Sequence, residues 1–346
     1  MFEKVSHNSL KNTRLFGEID SNISSNTPSY TPGYKIEVKP TLAPLFLIDC
    51  NINTEEYEEN LLEAIRDDIN FDEPNIDELT DDDIFVHELL NQVEIGRGSF
   101  GIVYSGIFNE TEIGVMKSTK LSEGKKEAAK LKELASQYVP EFYGIKEDGK
   151  KLKIFMEKIE GDVSDLIKNG YFVDNEEKSK DFVKQILEAL VHFEQQHFAH
   201  CDLKPGNIGY VTVNNKKEFK MLDLGSASKM NDNGICIPGA STLVFQATER
   251  ICSDEKTFDG HKLDIYSVGG IIYNIFTGKS PYSEIGGSAA TKADSVERKL
   301  WRYSQGNTHY EIPEDIPNFF QNIMHECWES DPNTRKTAVD LLNMYF

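Results

Sequence analysis

The sequence predicts an α+β fold in which a small β-rich lobe precedes a larger helical lobe. Strand-like runs dominate from Val93 to Glu157, and helical periodicity dominates afterwards. Phe182, Ile186 and Phe193, for example, fall on one face of a predicted helix. This order of elements is typical of an α+β architecture. We therefore predict one folded domain over residues 92–346, with a small lobe at 92–157 and a large lobe at 162–346.

The residues before this domain have a different composition. Residues 1–53 are rich in Ser, Asn, Thr and Pro, and four prolines at positions 28–44 prevent a long helix. We predict a flexible polar tail there. Residues 54–91 carry fifteen acids against one base, Arg66, and an apolar stripe from Tyr57 to Ile69 is compatible with a helix. This acidic segment is either an arm that docks a basic partner or its own folded domain, or a solvated charge run.

The charge and the cysteines exclude several classes of protein. A formal net charge of −21 disfavours nucleic acid and anionic membranes as partners, because both carry fixed negative charge. The five cysteines are odd in number and never spaced as Cys-x-x-Cys, which argues against a disulfide framework or a zinc site. The N-terminus lacks the charged and apolar regions of a secretory signal. We expect a cytoplasmic protein, with export to a host or entry into the nucleus left open.

Two short motifs in the helical half carry the chemistry. Residues 200–207 read His-Cys-Asp-Leu-Lys-Pro-Gly-Asn, and Leu-Asp-Leu-Gly follows at 222–225. In-line phosphate transfer needs one carboxylate to orient the attacking hydroxyl, and a second carboxylate with an amide oxygen to hold magnesium. Asp202, Asp223 and Asn207 fit these three requirements at this spacing.

A glycine-rich loop opens the strand-rich half. It has the pattern G-x-G-x-x-G followed by valine, and its members are Gly96, Arg97, Gly98, Ser99, Phe100, Gly101 and Val103. Glycines are needed there because side chains would keep the backbone amides away from phosphates. A dinucleotide-binding loop would lead straight into a helix. The strand-like residues after Gly101 instead predict a glycine-rich hairpin.

Together these motifs resemble those of the eukaryotic-type protein kinases, whose catalytic loop reads H-R-D-L-x-x-x-N and whose metal-binding turn reads D-F-G. The resemblance spans nearly all of residues 92–346 and implies a two-lobed kinase fold that uses ATP and Mg²⁺, with Mn²⁺ as a substitute. It implies that Asp202 is the catalytic base, that Lys204 balances charge on the γ-phosphate, and that Asn207 and Asp223 hold the metal. The implied partner is a protein substrate.

The same resemblance assigns the rest of the ATP site. Lys117, at the end of Val115-Met116-Lys117, matches the third-strand lysine that contacts the α- and β-phosphates. Its glutamate partner is chosen among Glu123, Glu127 and Glu133, and the spacing of Leu131 and Leu134 favours Glu127. Met156 stands at the gatekeeper position, and Glu157 to Ile159 match the hinge that binds adenine through its backbone.

Later motifs resemble the serine/threonine branch. Lys204 and Thr242 match a lysine and threonine that brace the catalytic aspartate there, whereas the Cys327-Trp328 pair, more frequent in tyrosine-kinase-like groups, keeps dual specificity open. Glu249 and Arg335 match a structural ion pair. Asp264 matches a residue that braces the catalytic loop, and the alternative interpretation as a helix N-cap is compatible with that role.

Cys201 departs from the family pattern, because it replaces an arginine that binds an activation-loop phosphate in many relatives. A thiol offers no cation, so we expect activity without phosphorylation of the activation segment, which lies between Asp223 and Glu249 and carries its candidate hydroxyls at Ser226, Ser228, Ser241 and Thr242. Two alternatives to an active protein kinase remain at this stage. A non-catalytic scaffold of the same fold normally lacks one of the four catalytic groups, all of which are present here. A small-molecule kinase usually lacks the glycine triplet.

Overall fold

The computed structural model describes residues 79–85, 89–98, 101–108, 111–118, 120–253, 255–283 and 311–346. The predicted tail and the predicted helix of the acidic segment lie outside these ranges. Among the helices that are described, none has the length and apolar character required to cross a bilayer.

The small lobe is a five-stranded antiparallel sheet with one helix. Its strands lie in the order β1-β2-β3-β5-β4. They are β1 (Leu90–Gly98), β2 (Gly101–Phe108), β3 (Thr111–Ser118), β4 (Phe142–Asp148) and β5 (Lys151–Glu157). Helix α1 (Leu121–Glu133) lies between β3 and β4 in the chain and packs against the sheet. β1 begins at Leu90, slightly before the predicted domain boundary at residue 92.

The large lobe is mainly helical, as predicted. Its helices are α2 (Val163–Lys168), α3 (Glu176–Gln195), α4 (Thr248–Cys252), α5 (Gly260–Thr277), α6 (Asn318–Cys327) and α7 (Ala338–Tyr345). Its strands are short: β6 (Gly161–Asp162), β7 (Phe198–Ala199), β8 (Ile208–Val213), β9 (Lys216–Met221), β10 (Ser228–Lys229), β11 (Ile235–Cys236) and β12 (Phe258–Asp259). β8 and β9 form a hairpin below the small lobe, and β6 pairs with β8.

The apolar periodicity of α3 predicts that one face of this helix is buried, and the structure confirms it. Phe182, Ile186, Leu190 and Phe193 are all buried, and they join one core with the β8–β9 hairpin and α5. The side chain of Asn175 caps the helix by accepting the backbone N–H of Lys178. The helix therefore provides a fixed base for the loop that follows it, residues 200–207.

Helix α5 is almost entirely buried and packs closely on α6. A Cβ atom at Gly269 would lie 2.6 Å from Trp328 Nε1, so only glycine permits this approach. The helix begins at Gly260 and its N-cap is Asp259, which accepts the backbone N–H of Lys262. The interpretation of Asp264 as an N-cap is therefore wrong, because Asp264 lies one turn inside the helix.

A short stretch before β1 belongs to the small lobe. This N-terminal strap, residues 79–85, forms a parallel bridge from Ile84 to Ile145 on β4. Phe85 stacks on Phe155 with ring centroids 3.9 Å apart. Asp83 accepts a hydrogen bond from Lys132 Nζ on α1 at 2.9 Å. The strap thus contacts both the sheet and α1.

Candidate active site

A cavity of about 360 Å³ lies between the two lobes. Its inner part is apolar and includes Val103, Leu131, Met156, Met221 and Leu222. Its other end is polar and is lined by Glu127, Lys204, Asn207 and Asp223. A flat apolar base and a charged phosphate chain need this combination of surfaces, so the cavity suits a nucleoside polyphosphate.

Asp202 is the centre of the catalytic loop, and it is 7% exposed. One carboxylate oxygen accepts the Thr242 backbone N–H at 2.7 Å. The other accepts Lys204 Nζ at 2.7 Å and the Asn207 side-chain amide at 3.0 Å. Lys204 also donates to Thr242 Oγ1 at 2.8 Å, which agrees with the bracing role expected of that threonine. The carboxylate is therefore held by donors from the catalytic loop and from the activation segment.

The backbone just before Asp202 is fixed by one buried side chain, that of Asp264. Asp264 accepts the backbone N–H groups of His200 and Cys201 at 2.6 and 2.9 Å, as the family resemblance implied. Burial raises the pKa of Asp264 to about 7, although these hydrogen bonds oppose the shift. Cys201 adopts φ +63°, a left-handed conformation that non-glycine residues seldom occupy. The two hydrogen bonds to Asp264 hold this strained residue in place.

His200 is a neutral, buried component of the same loop. Its Nε2 lies 2.9 Å from the Leu222 carbonyl, so Nε2 carries the proton and donates it. The Asp202 backbone N–H points at Nδ1 at 3.4 Å, which requires a lone pair there. Burial lowers the pKa of His200 to about 4. The histidine thereby connects the catalytic loop to the strand that leads into Asp223.

His200 predicts a pH-dependent stability. The pKa of His200 is about 4 in the folded protein and about 6.5 in the unfolded chain, so between these pH values only the unfolded state binds a proton at this residue. The free energy of unfolding therefore falls on acidification through this window. The loss attributable to His200 is at most about 3 kcal/mol. Urea unfolding of the wild type and of His200→Gln across this range should show a shallower acid dependence in the variant. Parallel curves for the two proteins would contradict this account.

Asp223 begins the predicted metal-binding turn in a left-handed conformation, with φ +58°. Burial raises the pKa of its carboxyl group, the nearby Asp202 adds to the shift, and Lys204 opposes it. Burial likewise raises the pKa of Glu127 to about 8, and Asp223 contributes to that shift. Two acids, Glu127 and Asp223, thus line the polar end of the cavity and repel each other, and Asp202 lies close enough to Asp223 to repel it as well. A cation bound there would relieve this repulsion.

The donor set fits magnesium that is shared with a phosphate ligand. Mg²⁺ usually takes one or two carboxylates and completes its shell with water and substrate phosphates. Asp223 offers a carboxylate, and the Asn207 amide donates through Nδ2, which leaves its Oδ1 as an acceptor. Across the described parts of the chain, no group of three or more His, Cys, Asp or Glu residues could hold a metal by itself. The Asp223 carboxylate and the Asn207 amide oxygen thus fit a magnesium ion whose remaining ligands are water and phosphate oxygens.

The glycine-rich segment forms the predicted hairpin rather than a strand–helix unit. Gly98 pairs with Gly101, and Gly96 pairs with Val103. Ser99 and Phe100 lie outside the described residues, as do the side chains of Arg97, Val115 and Lys117. The backbone of Lys117 lies in β3, opposite Ile102 of β2 and Lys153 of β5.

Among the three candidate partners of Lys117, Glu127 alone lines the cavity. Glu127 is 6% exposed, whereas Glu133 is paired with Lys229 at 2.7 Å and Glu123 with Lys120 at 3.1 Å. The choice of Glu127 therefore agrees with the position of its side chain. The contact with Lys117 itself stays a prediction.

The predicted hinge lies at the apolar end of the cavity. Met156, Glu157 and Ile159 all line it. The Glu157 side chain is turned away to Lys220 Nζ at 2.9 Å. Its backbone N–H donates to the Glu141 carbonyl. A nucleobase would consequently meet the backbone of this segment and the side chains of Met156 and Ile159.

Two basic residues that the sequence analysis overlooked also reach the site. Lys130, on the buried face of α1, donates to the carbonyls of Leu224 and Gly225 at 3.0 and 3.1 Å. Arg250, in α4, donates to the carbonyls of Cys201 and Gly239. The spacing of Lys130 from Glu127 could have placed it on the same face of the helix. Nothing in the sequence near Arg250 indicates its partners, because they lie far away along the chain.

The comparisons with known proteins identify the family of the chain. A family model described as the protein kinase domain matches residues 90–346, so the chain belongs to the protein kinase family. Its domain is that of a eukaryotic-type serine/threonine kinase, with a β-rich small lobe and a helical large lobe.

Its curated relatives include three proteins named as kinases of the mitogen-activated cascade. Mitogen-activated protein kinase kinase kinase 5 of Homo sapiens is 28% identical over 263 residues, which are 73% of this chain and 18% of that protein. MAP kinase kinase kinase wis4 of Schizosaccharomyces pombe is 30% identical over 273 residues, 72% of this chain and 18% of that protein. Mitogen-activated protein kinase kinase kinase 1 of Arabidopsis thaliana is 28% identical over 264 residues, 73% of this chain and 41% of that protein. The chain therefore spans less than half the length of these relatives.

Proposed function

We propose that residues 90–346 transfer the γ-phosphate of ATP to serine or threonine hydroxyls of protein substrates. The observation that carries this proposal is the arrangement of Asp202, whose carboxylate is held between Thr242, Lys204 and Asn207. Lys204 and Asn207 also line the polar end of the cavity. In-line transfer to a hydroxyl requires an acid held in a fixed orientation by residues that also face the phosphates.

Each residue at the polar end has a defined task in this proposal. Asp202 orients the substrate hydroxyl and accepts its proton, and Lys204 balances negative charge on the transferred phosphate. Asn207 and Asp223 would hold Mg²⁺, or Mn²⁺ in its place. The bound metal would neutralise charge on the phosphate oxygens.

The small lobe binds the rest of the nucleotide. Backbone amides of the hairpin from Gly96 to Gly101 cover the phosphates, and Lys117 contacts them while Glu127 orients its ammonium group. The backbone from Glu157 to Ile159 binds adenine. The names of the relatives describe kinases that act on other kinases, so a MAP kinase kinase is the first specific substrate to try, after a generic basic protein.

The test is phosphate transfer from labelled ATP with magnesium, to the protein itself and to a basic protein substrate. We expect transfer by the wild type and a loss of roughly a hundredfold or more in Asp202→Asn, because a positioned base contributes about 10²–10⁴ to the rate. Thermal unfolding and binding of a fluorescent ATP analogue serve as controls, and both should be retained in the variant. If neither protein transfers phosphate although both bind ATP, the proposal fails in favour of a scaffold that acts by binding.

A further inference from the structure

Arg250 joins two segments that must be aligned for catalysis. It follows Glu249 in α4, and its guanidinium reaches back over the catalytic loop. Nη1 donates to the Cys201 carbonyl at 3.1 Å, and Nη2 donates to the Gly239 carbonyl. Cys201 directly precedes Asp202, while Gly239 lies in the activation segment just before Thr242. One side chain therefore contacts both segments close to the catalytic carboxylate.

The residue at position 201 cannot make this connection itself. The Cys201 thiol lies in a small apolar cluster with Ala199, Met230 and Cys236, and its Sγ is 4.0 Å from Cys236 Sγ. Neither this buried thiol nor the thiol of Cys236 carries a positive charge, so position 201 provides no cation. The negative charges nearby, on Asp202 and Asp264, instead face the guanidinium of Arg250, and both oppose the lowering of its pKa that burial causes.

Hydroxyl groups of the activation segment also make hydrogen bonds that hold its conformation. Ser226 Oγ donates to the Ala240 carbonyl at 2.7 Å, and Ser228 Oγ donates to the Ile237 carbonyl at 2.8 Å. Thr242 Oγ1 accepts from Lys204. Three of the hydroxyls that could have carried an activating phosphate are thus already used in hydrogen bonds within the folded segment.

On these observations, and building on the proposed function, we propose that Arg250 is a positioning residue that holds the activation segment against the catalytic loop without a phosphate. It provides, from α4, the cation that Cys201 does not. The aligned segment in turn presents the Thr242 backbone N–H to Asp202, which fixes the carboxylate in its orientation.

The test compares Arg250→Gln, Arg250→Lys and the control Lys256→Gln, which changes an exposed lysine a few residues along the chain. We expect Arg250→Gln to lower kcat at least about tenfold with little change in the KM for ATP, because misplacement of a catalytic group costs turnover rather than nucleotide binding. Arg250→Lys should fall between this variant and the wild type, since an ammonium group cannot span both carbonyls as a guanidinium does. The control should behave as the wild type does, and phosphatase treatment of the wild type should leave kcat unchanged.

The pH profile of kcat separates positioning from a general loss of stability. Asp264 is faced by Arg250 from α4, by Asp202 and Cys201 from the catalytic loop, and by Cys236 from β11. Without the Arg250 charge, the pKa of Asp264 should rise further, so the acid limb of kcat should move to higher pH in Arg250→Gln but not in Arg250→Lys. Because the free energy of unfolding itself falls below about pH 6.5 through His200, the comparison uses only pH values at which both variants remain folded, and an unmoved limb there would contradict the inference.

Hydrogen exchange gives a readout that does not depend on activity. Amides of residues 239–245 should exchange faster in Arg250→Gln than in the wild type and the control. If the wild type transfers no phosphate, the proposed function fails, and exchange still decides whether Arg250 holds the segment. A wild-type kcat in Arg250→Gln, or unchanged exchange of residues 239–245, would overturn the inference, as would a wild type that is inactive until phosphorylated.

Discussion

Asp223→Asn is expected to reduce phosphate transfer by at least roughly a thousandfold. A bound metal contributes several kcal/mol to the transition state, and about 1.4 kcal/mol corresponds to tenfold in rate. The asparagine preserves the shape of the side chain but removes the charge that a divalent cation needs. Because burial and Asp202 already raise the pKa of the Asp223 carboxyl group, the neutral variant should fold at least as well as the wild type.

The measurement combines initial rates over a range of magnesium concentrations with thermal shifts caused by ATP alone and by ATP with magnesium. The wild type should gain additional stability when magnesium accompanies ATP, and Asp223→Asn should lose most of that gain. Asp232→Asn is a matched control, because Asp232 is an exposed aspartate in the same stretch of chain. Equal magnesium-dependent shifts in Asp223→Asn and the wild type would show that this carboxylate does not bind the metal.

Local motifs explain why so much of the polar site could be predicted from the sequence. Asp202, Lys204 and Asn207 lie within one loop, so their spacing along the chain determines their spacing in space. The glycine hairpin is similarly local, because Gly98 pairs with Gly101, only three positions along the chain. The helical periodicity of apolar residues in α3 is also local, and it directly gives the helix one buried face.

The residues that were missed act over long distances in the chain. Arg250 contacts Cys201, and Lys130 contacts Leu224, in each case through backbone carbonyls of another segment. A carbonyl acceptor has no sequence signature, because every residue carries one. The bracing role of Asp264 was implied by the family resemblance alone, because the backbone N–H groups of His200 and Cys201 that it accepts have no sequence signature either.

The sequence left the packing of the N-terminal strap open, because its many charged side chains obscure the few that make contacts. Asp81, Asp82 and Asp83 continue an acidic run, which is usually solvated. Only one of them finds a partner across the fold, Lys132 on α1, and Phe85 then anchors the strap on the sheet. The composition of such a run reflects most of its side chains, which are charged and exposed. The path of the strap, however, depends on only one ion pair and one aromatic contact.

Arg335→Met is expected to lower the free energy of unfolding by about 3–5 kcal/mol, the usual cost of leaving a buried charge without its partner. The predicted ion pair with Glu249 is confirmed: the guanidinium is bidentate, at 2.7 and 3.0 Å, and the Arg335 side chain has no exposed surface. Arg335 also donates to the carbonyls of Glu329 and Lys262 at 2.9 and 2.8 Å. Its loss would leave the Glu249 carboxylate and two carbonyls unsatisfied at once.

Urea unfolding of the single variants and of Glu249→Gln/Arg335→Met measures the coupling between the two residues. The double variant should lose less stability than the sum of the single losses, since no buried carboxylate remains once both charges are gone. Lys168→Met is the matched surface control: Lys168 and Asp165 lie 3.1 Å apart but are 72% and 54% exposed, so its effect should stay below about 1 kcal/mol. Additive single and double effects, or an Arg335→Met loss no larger than that of the control, would mean that the pair merely accompanies the attachment of α4 to the large lobe. The expected coupling would instead identify it as the interaction that fastens α4, and with it Arg250, to the helical core.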